Sequence, residues 1–153
     1  MKKSFFAAAI LAAGMLWNGT SDAGPADEIV VVVNKANPIK SATREDLRPI
    51  FQTTKTRWSD GTSAEPLNLP DDNSTRHGFD AAVLGLDPDR VSRFWVDRKI
   101  RGGERPPRKV SAPSAVLRGV AADKGGVGYV LVGEANDSVK IVARIRGGNV
   151  LAP

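Results

Sequence analysis

The cluster Asp71-Asp72-Asn73-Ser74-Thr75, followed at once by Arg76 and His77, is where residue types and spacing in this chain point to chemistry. Asx, Ser and Thr side chains at such a place cap a helix, because their oxygens accept the otherwise unpartnered amides of its first turn. Those amides, with the positive end of the helix dipole, also receive phosphate, sulfate or carboxylate groups. Ser74 and Thr75 would add hydroxyl donors, and Arg76 a charged fork. Asn73, Ser74, Thr75 and Arg76 are therefore the candidate ligand-binding residues, and the ligand they imply is a small oxyanion. Two arguments oppose this. Clusters of this kind often serve purely as caps. The neighbouring carboxylates of Asp71 and Asp72 also repel an anion, by ~4 kcal/mol for charges 4 Å apart at an effective dielectric of 20.

The rest of the chain offers no catalytic set. His77 is the single histidine, and no Ser-His-Asp triad or metal cluster can be assembled around it by spacing. With no cysteine, disulfides, thiol nucleophiles and thiolate metal sites are excluded. Asp87, Asp89 and Asp97 are too far apart along helical faces to act as a carboxylate pair. Gly125-Gly126-Val-Gly128-Tyr129 leads into a strand instead of out of one, so it is no dinucleotide fingerprint. Its glycines are expected to allow a tight turn and close backbone packing. Trp58 and Trp95 are read as core in preference to ligand platforms. The sequence thus predicts a binding or interaction protein, with no enzyme activity, no cofactor and no metal.

The first residues carry an export signal. Lys2 and Lys3 precede an apolar run from Phe5 to Trp17, too short to cross a hydrocarbon core of ~30 Å as a helix. Ser21 and Ala23 then stand at −3 and −1 of a small-residue cleavage pattern, with Ala26 as a second possible cut. Residues 1–23 are read as a signal peptide and 24–153 as one exported domain, periplasmic or secreted. No later stretch has the length of a membrane span. Of 22 basic and 17 acidic residues, the signal removes Lys2, Lys3 and Asp22, which leaves 20 against 16, a net of +4. The two signs are interleaved, so no basic stripe for nucleic acid forms. The densest basic stretch, Arg98 to Lys109, is either a solvated loop or a docking surface for an anionic partner.

Elements able to position the polar cluster follow from pattern. Ile29 to Val33 is a β-branched run without alternation, expected as a strand buried on both faces in a parallel sheet. Thr43 to Asp46 is a capping box, with Leu47, Ile50 and Phe51 on one helical face and Pro49 near the first turns. Pro66 to Leu69 is a short strand. A helix follows the Asp71–Thr75 cluster, with Phe79, Val83 and Leu84 inward and Gly85 at its end. Asp87-Pro88 opens another, with Val91, Phe94, Trp95 and Ile100 on its apolar side. Ser111 caps a further helix carrying Val116, Leu117 and Val120. Val127 to Val132 and Val139 to Ile145 are the last strands. Alternating strands and helices predict an α/β fold: a compact three-layer lobe whose mixed, mostly parallel sheet has helices on both faces.

The order of motifs from Val30 to Val130 is specific. It runs V-V-V-N-x-x-N-P, E-x-L-x-x-I-F, R-W-x-D-G, S-T-R-x-x-F, V-L-G, F-W, P-P and G-G-V-G-Y-V. The series resembles the phosphate-transporter substrate-binding-protein-like family, of the type 2 periplasmic binding protein fold. Members have two α/β lobes that close on an oxyanion, and the resemblance covers roughly one lobe. Thr53 stands where the family has a glycine. The family's phosphate site includes an arginine before a short loop and S-G-T at a helix start. Here the helix start is Asn73-Ser74-Thr75, and Leu69 falls near the arginine position. Arg76 compensates only if its side chain turns back toward the helix start. Two readings follow. One is a binding module for a phosphate-like oxyanion, serving a membrane transporter or a sensor protein. The other is an interaction protein that keeps the lobe without a small ligand, as a homodimer or docked to another protein.

Overall fold

Buried β-branched side chains place the first strand at the centre of a sheet. The computed structural model describes residues 27–153, so the expected signal peptide lies outside the described residues. Strand β1 (Ile29–Asn34) has Val30 to Val33 fully buried. It is followed by α1 (Arg44–Phe51), β2 (Glu65–Asn68), α2 (Ser74–Val83), α3 (Pro88–Ile100), β3 (Arg108–Lys109), α4 (Pro113–Ala122), β4 (Gly126–Leu131), β5 (Val139–Arg146) and β6 (Asn149–Leu151). Among the described residues six strands form one sheet in the order β3-β2-β4-β1-β5-β6. The expected α/β class and mixed sheet hold, but the parallel majority does not. Only β3-β2 and β2-β4 pair in parallel, while β4-β1, β1-β5 and β5-β6 are antiparallel. The unbroken apolar run of β1 reports burial on both faces, a condition that an antiparallel strand between two helical layers meets equally well.

Side-chain parity along β4 shows the two layers. A Cβ on Gly128 would lie 2.5 Å from Val116 of α4, and one on Gly126 2.8 Å from the Val120 Cα. Tyr129, pointing the other way, stacks on Phe79 of α2 with ring centroids 3.9 Å apart, and Phe79 in turn meets Phe51 of α1 edge-on at 4.5 Å. Helix α4 therefore covers one face, and α1 with α2 the other. Helix α3 packs on α2 and buries only Val91, leaving Val96 and Ile100 exposed.

Local chemistry sets the helix ends. Thr43 caps α1 with the expected reciprocal bond to Asp46, and Asp87 caps α3 ahead of Pro88. Pro49 is a correction: it lies in the second half of α1, past the first turn, in a helix that ends at Phe51. Ser111 is another, since the N-cap of α4 is Ala112, without a side-chain bond, and Pro113 follows. Asn34 at the end of β1 donates to the carbonyls of Val120 and Ala121, closing α4 against the sheet.

The turn after α1 stores strain. Thr53 has φ 55° and keeps its buried hydroxyl unpartnered. A β-branched residue in the left-handed region costs ~1–2 kcal/mol, and a buried unpaired hydroxyl adds to that. Thr53→Gly, the residue type that the family resemblance implies here, is expected to stabilise the fold by ~1 kcal/mol after the entropy cost of glycine. Denaturant midpoints of the two proteins measure it. A lower midpoint for the glycine variant would mean that packing of the threonine methyl outweighs both terms.

Candidate functional site

Helix α2 begins at the expected cluster and is pinned at both ends. Asn73 is its N-cap in extended backbone, and its Oδ1 accepts the Arg76 amide at 3.1 Å. Arg44 and Arg48 of α1 donate to the carbonyls of Val83 and Leu84 at the other end. The loop before α2 is held from below. The buried Tyr129 hydroxyl donates to Asn68 Oδ1 at 3.1 Å and accepts the Leu69 amide at 3.3 Å. Burial pushes that phenol far above its ordinary range, so it stays protonated and keeps both bonds.

The Arg76 side chain turns back toward this loop. It is 5 % exposed. Its Nη1 donates to the Leu69 carbonyl at 3.0 Å and to the Asp71 carboxylate, and its Nε meets Asp80 at 3.3 Å. The guanidinium thus rests against the backbone of Leu69, the position at which the resemblance places the family's arginine. A guanidinium carries five N–H donors. Those of Nε and Nη1 are committed, whereas Nη2 forms no hydrogen bond among the described residues.

The two carboxylates around Arg76 differ in state. Lys109 at 2.6 Å, and then Arg76, hold the Asp71 carboxyl below its ordinary range. The repulsion expected from Asp71 is therefore largely compensated, and Asp72 is exposed. Asp80 is pushed up to about 6, because burial outweighs the pull of Arg76. Its folded value lies above the unfolded ~3.9, so the folded state binds the extra proton between the two. Burying the Asp80 carboxylate costs stability at pH 7, and that cost fades as pH falls through 6 toward 4. A side-chain carboxyl NMR titration should give Asp80 a midpoint near 6. A midpoint near 4 would show a carboxylate much better solvated than this burial implies.

Arg76 opens onto a groove of about 860 Å³ between α2, α3 and the segment Gly103–Lys109. Asn68, Asp71, His77, Asp80, Lys99 and Lys109 bring polar groups to it, and Val91, Trp95, Val96, Pro106 and Pro107 form an apolar wall. Of the four candidate residues, Asn73 and Arg76 are joined through the cap bond, and only Arg76 lines this groove. Ser74 is exposed at the first helical position, and Thr75 is 7 % exposed. His77 Nε2 lies 2.7 Å from the Asp71 carbonyl. Trp58 is core, as expected, and Trp95 is half-buried against the core, where it also lines the groove with Arg98 over its ring at 5.6 Å.

Sequence reasoning missed Asp80 and Lys109. The first was signalled by its i,i+4 spacing from Arg76. The second had no local signal, since 38 residues separate it from Asp71. Charge is also more segregated than interleaving implied. Residues 90–109 hold eight basic and two acidic side chains, a net of +6 against +5 for the whole chain. Of these side chains Lys99, Glu104, Arg105 and Lys109 line the groove, whose whole charged lining, with Arg76, Asp71 and Asp80, is four basic and three acidic residues. Among the described residues no His, Cys, Asp and Glu group suits a metal, and no helix is long and apolar enough to cross a membrane.

Comparison with known proteins agrees with this architecture. Protein SphX of Synechococcus elongatus is 30 % identical over 115 residues, which are 67 % of this chain and 29 % of that protein. An ABC-type phosphate transport receptor from Vibrio cholerae superposes with a TM-score of 0.59 at 22 % identity, over 74 % of this chain and 44 % of the receptor. A putative phosphate ABC transporter substrate-binding protein from Clostridium perfringens, solved with bound phosphate, gives 0.60 at 19 %, over 74 % and 43 %. The chain thus spans less than half the length of these relatives, in line with the single lobe. A family model described as a PBP superfamily domain matches residues 25–152, and the chain belongs to that family.

Proposed function

We propose that this chain is an exported, one-lobe binding module that holds a small phosphate-like oxyanion against Arg76 at the start of α2. The observation that carries the proposal is the returned guanidinium. Arg76 occupies the neighbourhood of Leu69, makes no Nη2 hydrogen bond among the described residues, and lines a groove to which Lys99, Arg105 and Lys109 also bring positive charge. The bound phosphate of the Clostridium perfringens protein and the phosphate transport receptor from Vibrio cholerae support the ligand class. The apolar run after Lys2 and Lys3 supports export to the periplasm, with cleavage after Ala23. The purified exported protein should begin at Gly24 by mass. A partner in a transporter or sensor would receive the loaded lobe. The interaction reading has its own support, because α3 exposes Val96 at 54 % and Ile100 at 78 % beside Arg93 and Lys99, a surface suited to a protein contact.

Thermal unfolding with phosphate, sulfate or small carboxylates separates the two readings. A ligand at 100 times its dissociation constant adds about 2.7 kcal/mol of stability. Sulfate, which keeps its charge over this range, should bind about tenfold tighter at pH 5 than at pH 7.5, because neutralising Asp80 removes a like charge beside Arg76. An unfolding midpoint that no anion moves at millimolar concentration leaves only the interaction reading.

A further inference from the structure

The groove beside Arg76 is much larger than a bare oxyanion requires. An inorganic oxyanion fills the space of two or three waters, each about 30 Å³. The groove of about 860 Å³ is in the size class that holds drug-sized molecules, ~300–1,000 Å³. Its lining is both charged and apolar, with Lys99, Glu104 and Arg105 on the same elements as the apolar residues. Arg76, Asp71, Asp80 and Lys109 gather at one end. Val91, Trp95, Val96, Pro106 and Pro107 form the wall. Trp95 is oriented by its edge-on contact with Phe94, centroids 4.9 Å apart, and by Arg98 over its ring. Trp95 packs against the core and is half-buried, and its remaining exposed part lines the groove.

We infer that the ligand is an amphiphilic organic anion, a phosphate ester or comparable acid with a ring or short apolar chain, whose head meets Arg76 while its body lies along Trp95 and the Pro106-Pro107 wall. The inference rests on the oxyanion reading above and narrows its ligand class. Burying part of an aromatic ring on this wall should add about tenfold in affinity over the head group alone. Stacking on Trp95 gives the ring a preferred position.

Calorimetric titration of the purified protein with inorganic phosphate, phenyl phosphate and phenol tests this. Phenyl phosphate is expected to bind at least about tenfold tighter than phosphate, and phenol far more weakly than phenyl phosphate. In Trp95→Ala the affinity ratio of phenyl phosphate to phosphate should fall toward one. Trp95→Leu, which retains apolar bulk, should hold an intermediate ratio and covers the case of an alanine variant that does not fold. Equal affinity of the wild-type protein for phosphate and phenyl phosphate overturns the inference and leaves the oxyanion reading standing. Binding of phenol as tight as phenyl phosphate also overturns it, since the anionic end would then contribute nothing. Absence of binding by both anions overturns the inference together with the oxyanion reading.

Discussion

Arg76→Ala should destabilise the protein by ~3–5 kcal/mol at pH 7.5 and abolish oxyanion binding. Arg76 and Asp80 are 5 % and 6 % exposed, so removal of the guanidinium leaves a buried carboxylate without its cation. Asp80 then escapes the full cost by taking up a proton. Its carboxyl already stands at about 6 with Arg76 present, and loss of that pull raises it further. The destabilisation should therefore be greatest at alkaline pH and shrink below pH 6, where wild-type Asp80 is also largely neutral. Adding Asp80→Asn should return part of the lost stability and none of the binding. Urea unfolding at pH 5 and pH 8 measures both trends. A penalty independent of pH would mean that the carboxylate is not the group left exposed to the low-dielectric interior.

Gly126→Ala should cost ~3 kcal/mol, more than Gly128→Ala, although the second makes the shorter contact. The added Cβ at Gly126 meets main chain: Val120 Cα at 2.8 Å, Asp123 O at 3.0 Å and Val120 O at 3.1 Å. Relief requires α4 to move away from the sheet, and α4 is fixed there by Asn34 through the carbonyls of Val120 and Ala121. At Gly128 the obstacle at 2.5 Å is a methyl of Val116, a side chain that can be trimmed. Val116→Ala should accordingly rescue Gly128→Ala and leave Gly126→Ala unimproved. Thermal midpoints of the single and double variants decide it. Equal rescue of both would place the strain in side chains instead of in the helix-to-strand spacing.

Much of this lobe can be read in local residue chemistry. The Val run of β1, the Thr43 capping box, the Asn73 cap and the Asp87-Pro88 start each act within a few residues, and each forms where its pattern predicts. Strand β3 is different. Arg108 and Lys109 have little strand character, and they pair only because β2 offers an open parallel edge. Strand β6 did have a signal. Gly147 and Gly148, both at positive φ, form the kind of two-glycine turn that joins hairpin strands, here Arg146 to Asn149. Strand direction was misjudged because the hydrophobic pattern encodes how many faces are covered, not which way a neighbour runs. At the site, the polar helix start was legible in sequence. The return of Arg76 to Leu69, the contact of Lys109 with Asp71 and the place of Trp95 in the wall depend on tertiary closure of the segment after α3, which has no local code.

Binding as proposed depends on Arg76 receiving the anion in the groove beside the start of α2. Nitrogen-15 NMR of the purified protein at pH 5.5, titrated with sulfate, observes this directly. The arginine side-chain resonances of Arg76 and the backbone amides of Ser74 and Thr75 should shift along one saturable curve. Resonances in the opposite layer, such as Val116 and Val120 of α4, should stay in place. Saturable shifts that bypass Arg76, or no shifts at any concentration below about 50 mM, within which even a millimolar site would be nearly filled, would contradict it.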